Sequence, residues 1–226
     1  MAATLEIHGA VGVIRMDDGK ANAVNPDMVA ALNKVLDEAE ANTEVKSVVI
    51  TGRADKFSAG FDLKYFQSNP PEKGAELVAS GGVLAHRIFS FSKPVVAAIN
   101  GHAIAMGCFL VQACDRRIGV EGNYFTGANE TAINMVLPQF AVEFLKYRLN
   151  PSFHDEAVLE ATLYPLTDAI KVGFIDAVTS ADVLLDEAKA LAAKLGELPA
   201  NAYKGNKLLM REAPLKAMAA SLKING

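Results

Sequence analysis

No basic run, and no interleaving of basic with aromatic residues, occurs in the 226 residues, which argues against a nucleic-acid partner. Cysteine is scarce. Cys108 and Cys114 lie in an apolar stretch and match neither a disulfide framework nor a zinc site. They are expected as buried free thiols in a reducing, cytoplasmic setting. No spacing of His, Cys, Asp and Glu resembles a metal site, so no metal is expected. The leading MAATLEIHGAVGVIRM has no basic region followed by an apolar one, which predicts no signal peptide. The closing LKING is neither a peroxisomal address nor a prenylation site. Repeats, low-complexity tracts and linkers are missing too. Charge is absent from Pro94 to Cys114, a length that can span a bilayer. Pro94, the Asn100-Gly101 turn, His102 and Gln112 break that run, so a strand, a turn and a buried helix fit better and no membrane partner is expected.

What is present is enough apolar sequence for a sizeable core, 51% by composition, with a net charge of −4 spread along the chain. Leu5, Ile7, Val11, Val13 and Ile14 flank Gly9 as a hairpin. A helix starts near Asp27, with Met28, Leu32, Val35, Leu36 and Ala39 on one face. Val45 to Thr51, Pro94 to Ile99 and Arg117 to Val120 read as buried strands, separated by helices at about Glu72 to Phe91 and near Gly107. That alternation implies crossover units with parallel strands, an α/β fold. After Pro138 the chain reads as mostly helical: Phe140 to Leu149, Pro151 to about Ala161, Asp182 to Leu195 and Ala202 to Leu222, the last interrupted by Pro214. A short strand is predicted at Phe174 to Val178. The expected organisation is one domain over 1–226, a core of 1–180 with a helical region at 181–226.

Three segments carry candidate chemistry. In the first, a strand runs into Ser58-Ala59-Gly60-Phe61-Asp62-Leu63, a small-residue turn in which Gly60 lets a ligand approach the main chain. In the second, a strand ends in Asn100-Gly101 and small residues lead through Met106 and Gly107 into a helix, whose free N–H groups favour anionic oxygens. Each alone reads more readily as a structural strand-to-helix turn. Side by side, they can aim two N–H groups at one carbonyl oxygen, an oxyanion hole. The third segment holds Glu130, the only charged residue between Glu121 and Glu143. Among apolar neighbours a carboxyl has its pKa raised, which suits a general base. A surface or helix-capping glutamate is the other reading. His102 is placed at the pocket by its neighbourhood. Ser58 lacks the elbow motif and a His partner, so it is not expected to be a nucleophile.

Taken together, FSAGFDL (Phe57 to Leu63), AINGHAIAMGCFL (Ala98 to Leu110), CDRRI (Cys114 to Ile118) and GANETAINMVLP (Gly127 to Pro138) resemble the crotonase superfamily, the enoyl-CoA hydratase/isomerase family. The resemblance implies a ClpP-like spiral of ββα units, a helical C-terminal region that is shortened here, homotrimers or hexamers, and an acyl-CoA substrate with no separate cofactor. It places the oxyanion hole at the backbone N–H groups of Phe61 and Met106 and the base at Glu130. It places Ala23 and Val24 near the adenine end of the CoA. Ser58, Ala59, Gly60, Asp62, Leu63, Gly107, Phe109 and Asn129 would line the rest of the substrate site. Arg53, Lys56 and Lys64 are assigned to the CoA phosphates on charge alone. Phe109 stands where hydratases of the family carry a first glutamate, while Asn129-Glu130-Thr131 keeps the second. That combination is similar to the Δ3,Δ2-enoyl-CoA isomerase type, with one catalytic Glu; the alternatives are a hydratase, which Phe109 disfavours, another thioester reaction of the superfamily, or a non-catalytic acyl-CoA-binding protein. Met106 replaces a common glycine and is expected to narrow the acyl pocket.

Overall fold

A computed structural model describes residues 2–224. Met1 and the Asn225-Gly226 end of the LKING reading lie outside the described residues. The chain opens with a hairpin of β1 (Ala3–His8) and β2 (Val11–Met16), turned at Gly9 with φ of +59°. Helix α1 (Pro26–Ala41) starts where the Asn25 side chain accepts the Met28 N–H at 2.9 Å and Pro26 occupies the first helical position, where its missing N–H costs nothing. Its apolar face is the one the 3.6-residue spacing predicts.

Three turns of a spiral follow. The first is β3 (Ser47–Thr51), β4 (Lys56–Ser58), α2 (Leu63–Ser68) and α3 (Pro71–Phe89). The second is β5 (Val95–Ile99), β6 (His102–Ile104) and α4 (Met106–Ala113). The third is β7 (Arg116–Val120), β8 (Phe125–Gly127), a 3-10 turn (Thr131–Ile133) and α5 (Gln139–Arg148). The long strands form a sheet ordered β1-β2-β3-β5-β7-β10, parallel from β2 onward, with Val49 beside Val96 and Ala97 beside Arg117. Strands β3 and β5 are buried along their whole length, as parallel strands covered on both faces must be. The short strands form a second sheet, β4-β6-β8-β9. The expected spiral of ββα units is therefore present.

The remaining elements are a 3-10 turn (Pro151–Phe153), α6 (His154–Val158), β9 (Tyr164–Pro165), α7 (Leu166–Val172), β10 (Ala177–Thr179), α8 (Leu184–Gly196), α9 (Ala200–Met210) and α10 (Glu212–Leu222). Helix α8 packs on β2, β3, β5 and β7, so it covers the main sheet rather than hanging from it. The break in the last helical stretch falls at Arg211, not Pro214, because proline fits without penalty in the first turn of α10.

The corners between the sheets are tight. A Cβ on Gly101 would stand 1.8 Å from the Asp55 carbonyl oxygen. Asn100 locks the same corner: its side-chain oxygen accepts the Gly52 N–H at 2.9 Å and its amide donates to the Arg53 and Ala54 carbonyls. These corners set the distance between the first and second candidate segments. No described helix is long and apolar enough to cross a membrane. Among the described residues no group of three or more His, Cys, Asp and Glu is placed to hold a metal ion.

Candidate active site

The first segment is held from below by residues 21–24. The Val24 N–H donates to the Gly60 carbonyl at 2.8 Å, the Asp62 N–H to the Val24 carbonyl at 3.0 Å, and the Ala59 N–H to the Ala21 carbonyl at 3.1 Å. Buried Asn22 donates to the Met16 and Phe57 carbonyls, and the Ser58 hydroxyl donates to the Asn22 carbonyl at 2.7 Å. Along an extended segment successive N–H groups point to opposite sides. With Asp62 turned toward Val24, the N–H of Phe61 faces away from that strand. It donates no hydrogen bond among the described residues.

The second segment meets the first at Gly60, whose φ is +92°. A Cβ there would lie 2.9 Å from the Ala105 Cβ, 2.9 Å from the Ile104 oxygen and 3.4 Å from the Met106 nitrogen. Only glycine allows both this conformation and this approach. Ala105 itself sits at φ 52°, ψ −122°, a strained position for a residue with a side chain. Its N–H donates to the Gly127 carbonyl at 2.9 Å. Met106 is the first residue of α4, so its N–H has no intrahelical acceptor and carries the positive end of the helix.

The third segment runs beside the second through β8, with the Thr126 hydroxyl donating to the Ala103 carbonyl at 2.8 Å. Glu130 then opens the 3-10 turn, and its carbonyl accepts the Ile133 and Met135 N–H groups. Its side chain is buried, at 6% exposure, and Oε2 has no hydrogen-bond partner. Burial pushes its pKa from 4.5 up to about 7, outweighing the lowering by its own backbone N–H.

All three segments line one cavity of about 100 Å³, with Ala59 and Phe61 from the first, Ile104 and Ala105 from the second, and Asn129 and Glu130 from the third. Among the described residues Glu130 is the only ionisable side chain on its wall. A buried carboxyl with an unpartnered oxygen, on a small apolar cavity that Phe61 and Ala105 also line, has the chemistry of a proton carrier.

Of the other expected site residues, most lie off this cavity. Val24 is buried in the core, and the Ala23 N–H donates to the Asp18 carboxylate at 3.0 Å. Ser58 holds the loop without reaching the cavity. Asp62 caps α2 by accepting the Lys64 N–H at 3.0 Å. Gly107 packs α4 on β4, where a Cβ would stand 2.4 Å from the Ser58 oxygen. Leu63 does line the cavity, at its open edge. The Met106 side chain is buried and does not line the cavity. Phe109 is also buried, edge-on to Phe140 at 6.0 Å, and its ring is off the wall.

His102 lies outside the cavity, where its Nδ1 accepts the Phe125 N–H. Arg53 pairs with Asp17 at 2.8 Å and Lys56 with Asp55 at 2.7 Å. Both cysteines are free and buried, their thiols pushed up to about 12 by burial. Phe66, Ile104, Ala105, Ile133 and Met135 join the cavity wall without a sequence signal that names them.

Comparison with known proteins points to one family. Residues 6–225 match the family model described as enoyl-CoA hydratase/isomerase. A Mycobacterium tuberculosis protein, called an enoyl-CoA isomerase in one solved structure and a probable enoyl-CoA hydratase in another, is 36% identical in the first, which covers 98% of this chain and 96% of its own and has a TM-score of 0.93. An enoyl-CoA hydratase structure from Mycobacterium ulcerans is 39% identical, covers 99% and 97%, and has a TM-score of 0.94. The mitochondrial enoyl-CoA delta isomerase 1 of Rattus norvegicus is 26% identical over 210 residues, 92% of this chain and 73% of that protein.

Proposed function

The chain belongs to the enoyl-CoA hydratase/isomerase family, and from that premise we propose that it is an isomerase moving a double bond from C3 to C2 of an enoyl-CoA. The observation that carries this reading is that Glu130 is the cavity's only ionisable side chain, buried and with an unpartnered oxygen. One carboxylate suffices for a 1,3-proton shift. Glu130 takes a proton from C2, and the electron pair moves into the thioester, giving a dienolate. The N–H groups of Phe61 and Met106 hold the developing oxyanion, each donor contributing about 3 kcal/mol on the scale of oxyanion holes elsewhere. The Glu130 carboxyl then returns the proton to C4, leaving the double bond between C2 and C3. The coenzyme A is part of the substrate, and the reaction balances without another cofactor. A cytoplasmic homotrimer or hexamer completes the reading.

Hydration of a 2-enoyl-CoA is the competing reading, favoured by the name of the M. ulcerans relative. It calls for a water held and activated on the reacting double bond, for which the wall offers no second acidic group. The two are separated by giving pure protein a 3-enoyl-CoA and, separately, a 2-enoyl-CoA. Formation of the conjugated product from the first, abolished in Glu130→Gln, is the expected result. Water addition to the second at a comparable rate would overturn the isomerase assignment.

A further inference from the structure

We propose that Thr131–Val136 is a gate over the Glu130 carboxyl, which opens to admit an acyl thioester and closes Ile133 and Met135 on its acyl chain; the closing half rests on the enoyl-CoA reading of the site. Part of this wall has to move. Glu130 Oε2 is covered as well as unpartnered, so no substrate atom can touch it in this conformation. Asn129 Oδ1, one residue away and on the same cavity wall, is also covered and without a partner. Buried acceptors left without donors cost free energy. Opening the adjoining segment lets water reach both oxygens, so the closed form is disfavoured while the site is empty.

The ties on each wall single out the part that moves. The first segment is bonded through its backbone to residues 21–24, and Gly60 is packed on Ala105. The Ala105 N–H of the second is bonded to Gly127 at the end of β8. Thr131–Val136 has no such backbone bond to another element. Its paired N–H groups go to the Asn129, Glu130 and Thr131 carbonyls, within its own turn. Among the described residues its one hydrogen bond to another element runs from the Thr131 hydroxyl to the Val158 carbonyl, at 2.7 Å and open to solvent. Every residue from Thr131 to Val136 is exposed, and none of their apolar side chains packs on the core, which the chain rejoins at Leu137. Segments with few buried contacts open at the lowest cost. Ile133 and Met135 stand on the cavity wall yet are 43% and 36% exposed. On the enoyl-CoA reading C2 and C4 lie at Glu130, the root of this segment, so the acyl chain is what these two side chains meet. Burying them against it draws the gate shut and keeps water from the reacting carbons.

The test is backbone amide exchange read by mass spectrometry on wild type, Thr131→Val and Thr131→Ser, with and without saturating hexanoyl-CoA, a thioester that cannot isomerise. Exchange in the rest of the chain checks the fold. In free wild type the amides of Thr131–Val136 are expected to exchange about tenfold or more faster than those of β8, and to slow by about tenfold or more on binding. Thr131→Val removes the tie and should speed that exchange about three- to tenfold, the scale of one hydrogen bond, while Thr131→Ser behaves as wild type. Exchange in the free protein as slow as in β8, no slowing with ligand bound, or no effect of Thr131→Val in a folded protein overturns the proposal. Slow exchange that quickens on dilution means that a second copy covers the segment, and overturns it too. Should calorimetry detect no hexanoyl-CoA binding, the enoyl-CoA reading fails on its own. Exchange in the free protein then decides the gate: fast and dependent on Thr131 supports it, and slow overturns it.

Discussion

Gly60 is packed against Ala105 so closely that a Cβ on Gly60 would lie 2.9 Å from the Ala105 methyl. The N–H groups of Phe61 and Met106 each follow one member of this pair, so their separation is set by the contact. Gly60→Ala must push the two loops apart and strain a backbone at φ +92°. The expected result is a fall in kcat of about 10²-fold, the scale for losing one oxyanion donor, with a smaller change in KM. Steady-state kinetics on a 3-enoyl-CoA, with circular dichroism as the folding check, measures this.

Glu130 must be ionised to accept a proton, and burial holds its pKa at about 7. Activity of the free enzyme should therefore rise with pH through about 7 and level off above it. Stability should run the other way. The unfolded chain ionises this carboxyl near 4.5 and the folded one near 7, so between those values the native state holds the extra proton and stability falls as pH rises. Glu130→Gln removes that slope. Its stability relative to wild type should grow by about 2–3 kcal/mol between pH 5 and pH 8, read from denaturant midpoints.

Phe109→Glu restores the residue that hydratases of the family are expected to carry. Here the ring is packed edge-on to Phe140 in the core and not on the cavity wall. The substitution should cost about 3–5 kcal/mol as a buried, unpaired carboxylate and should not create hydratase activity. Thermal unfolding and hydration of a 2-enoyl-CoA test both halves. Efficient water addition by a stable variant would sink the packing argument.

Asp115 is buried between two cations of the C-terminal helices, 2.7 Å from Lys207 Nζ and 2.9 Å from an Arg211 nitrogen, and it also accepts the Val95 N–H. Asp115→Asn leaves both cations in a dry site without their counter-charge. A loss of about 3–5 kcal/mol is expected in urea unfolding.

The main sheet was legible because Val45 to Thr51 and Pro94 to Ile99 are mostly apolar runs without polar alternation, as a strand covered on both faces requires. The second sheet was not. Lys56–Ser58, His102–Ile104 and Phe125–Gly127 are three residues each, too short for any alternation, and they exist through pairing with distant segments. Glu130 stood out as a lone charge in an apolar stretch. Phe61 and Met106 could be named only through the family resemblance, because a backbone N–H leaves no mark in side-chain chemistry. Phe66 was missed because α2 spans six residues with none buried, which gives no periodicity to read.

The solitary carboxylate has a stereochemical consequence. In the proposed isomerisation, one proton carrier fixed in the wall at Glu130 would remove at C2 and deliver at C4 on the same face of the bound chain. Because that carboxyl is nearly sealed from solvent, at 6% exposure, the hydrogen it lifts is the one best placed to be returned. An isotopic label at C2 would then survive, in part, at C4 of the product.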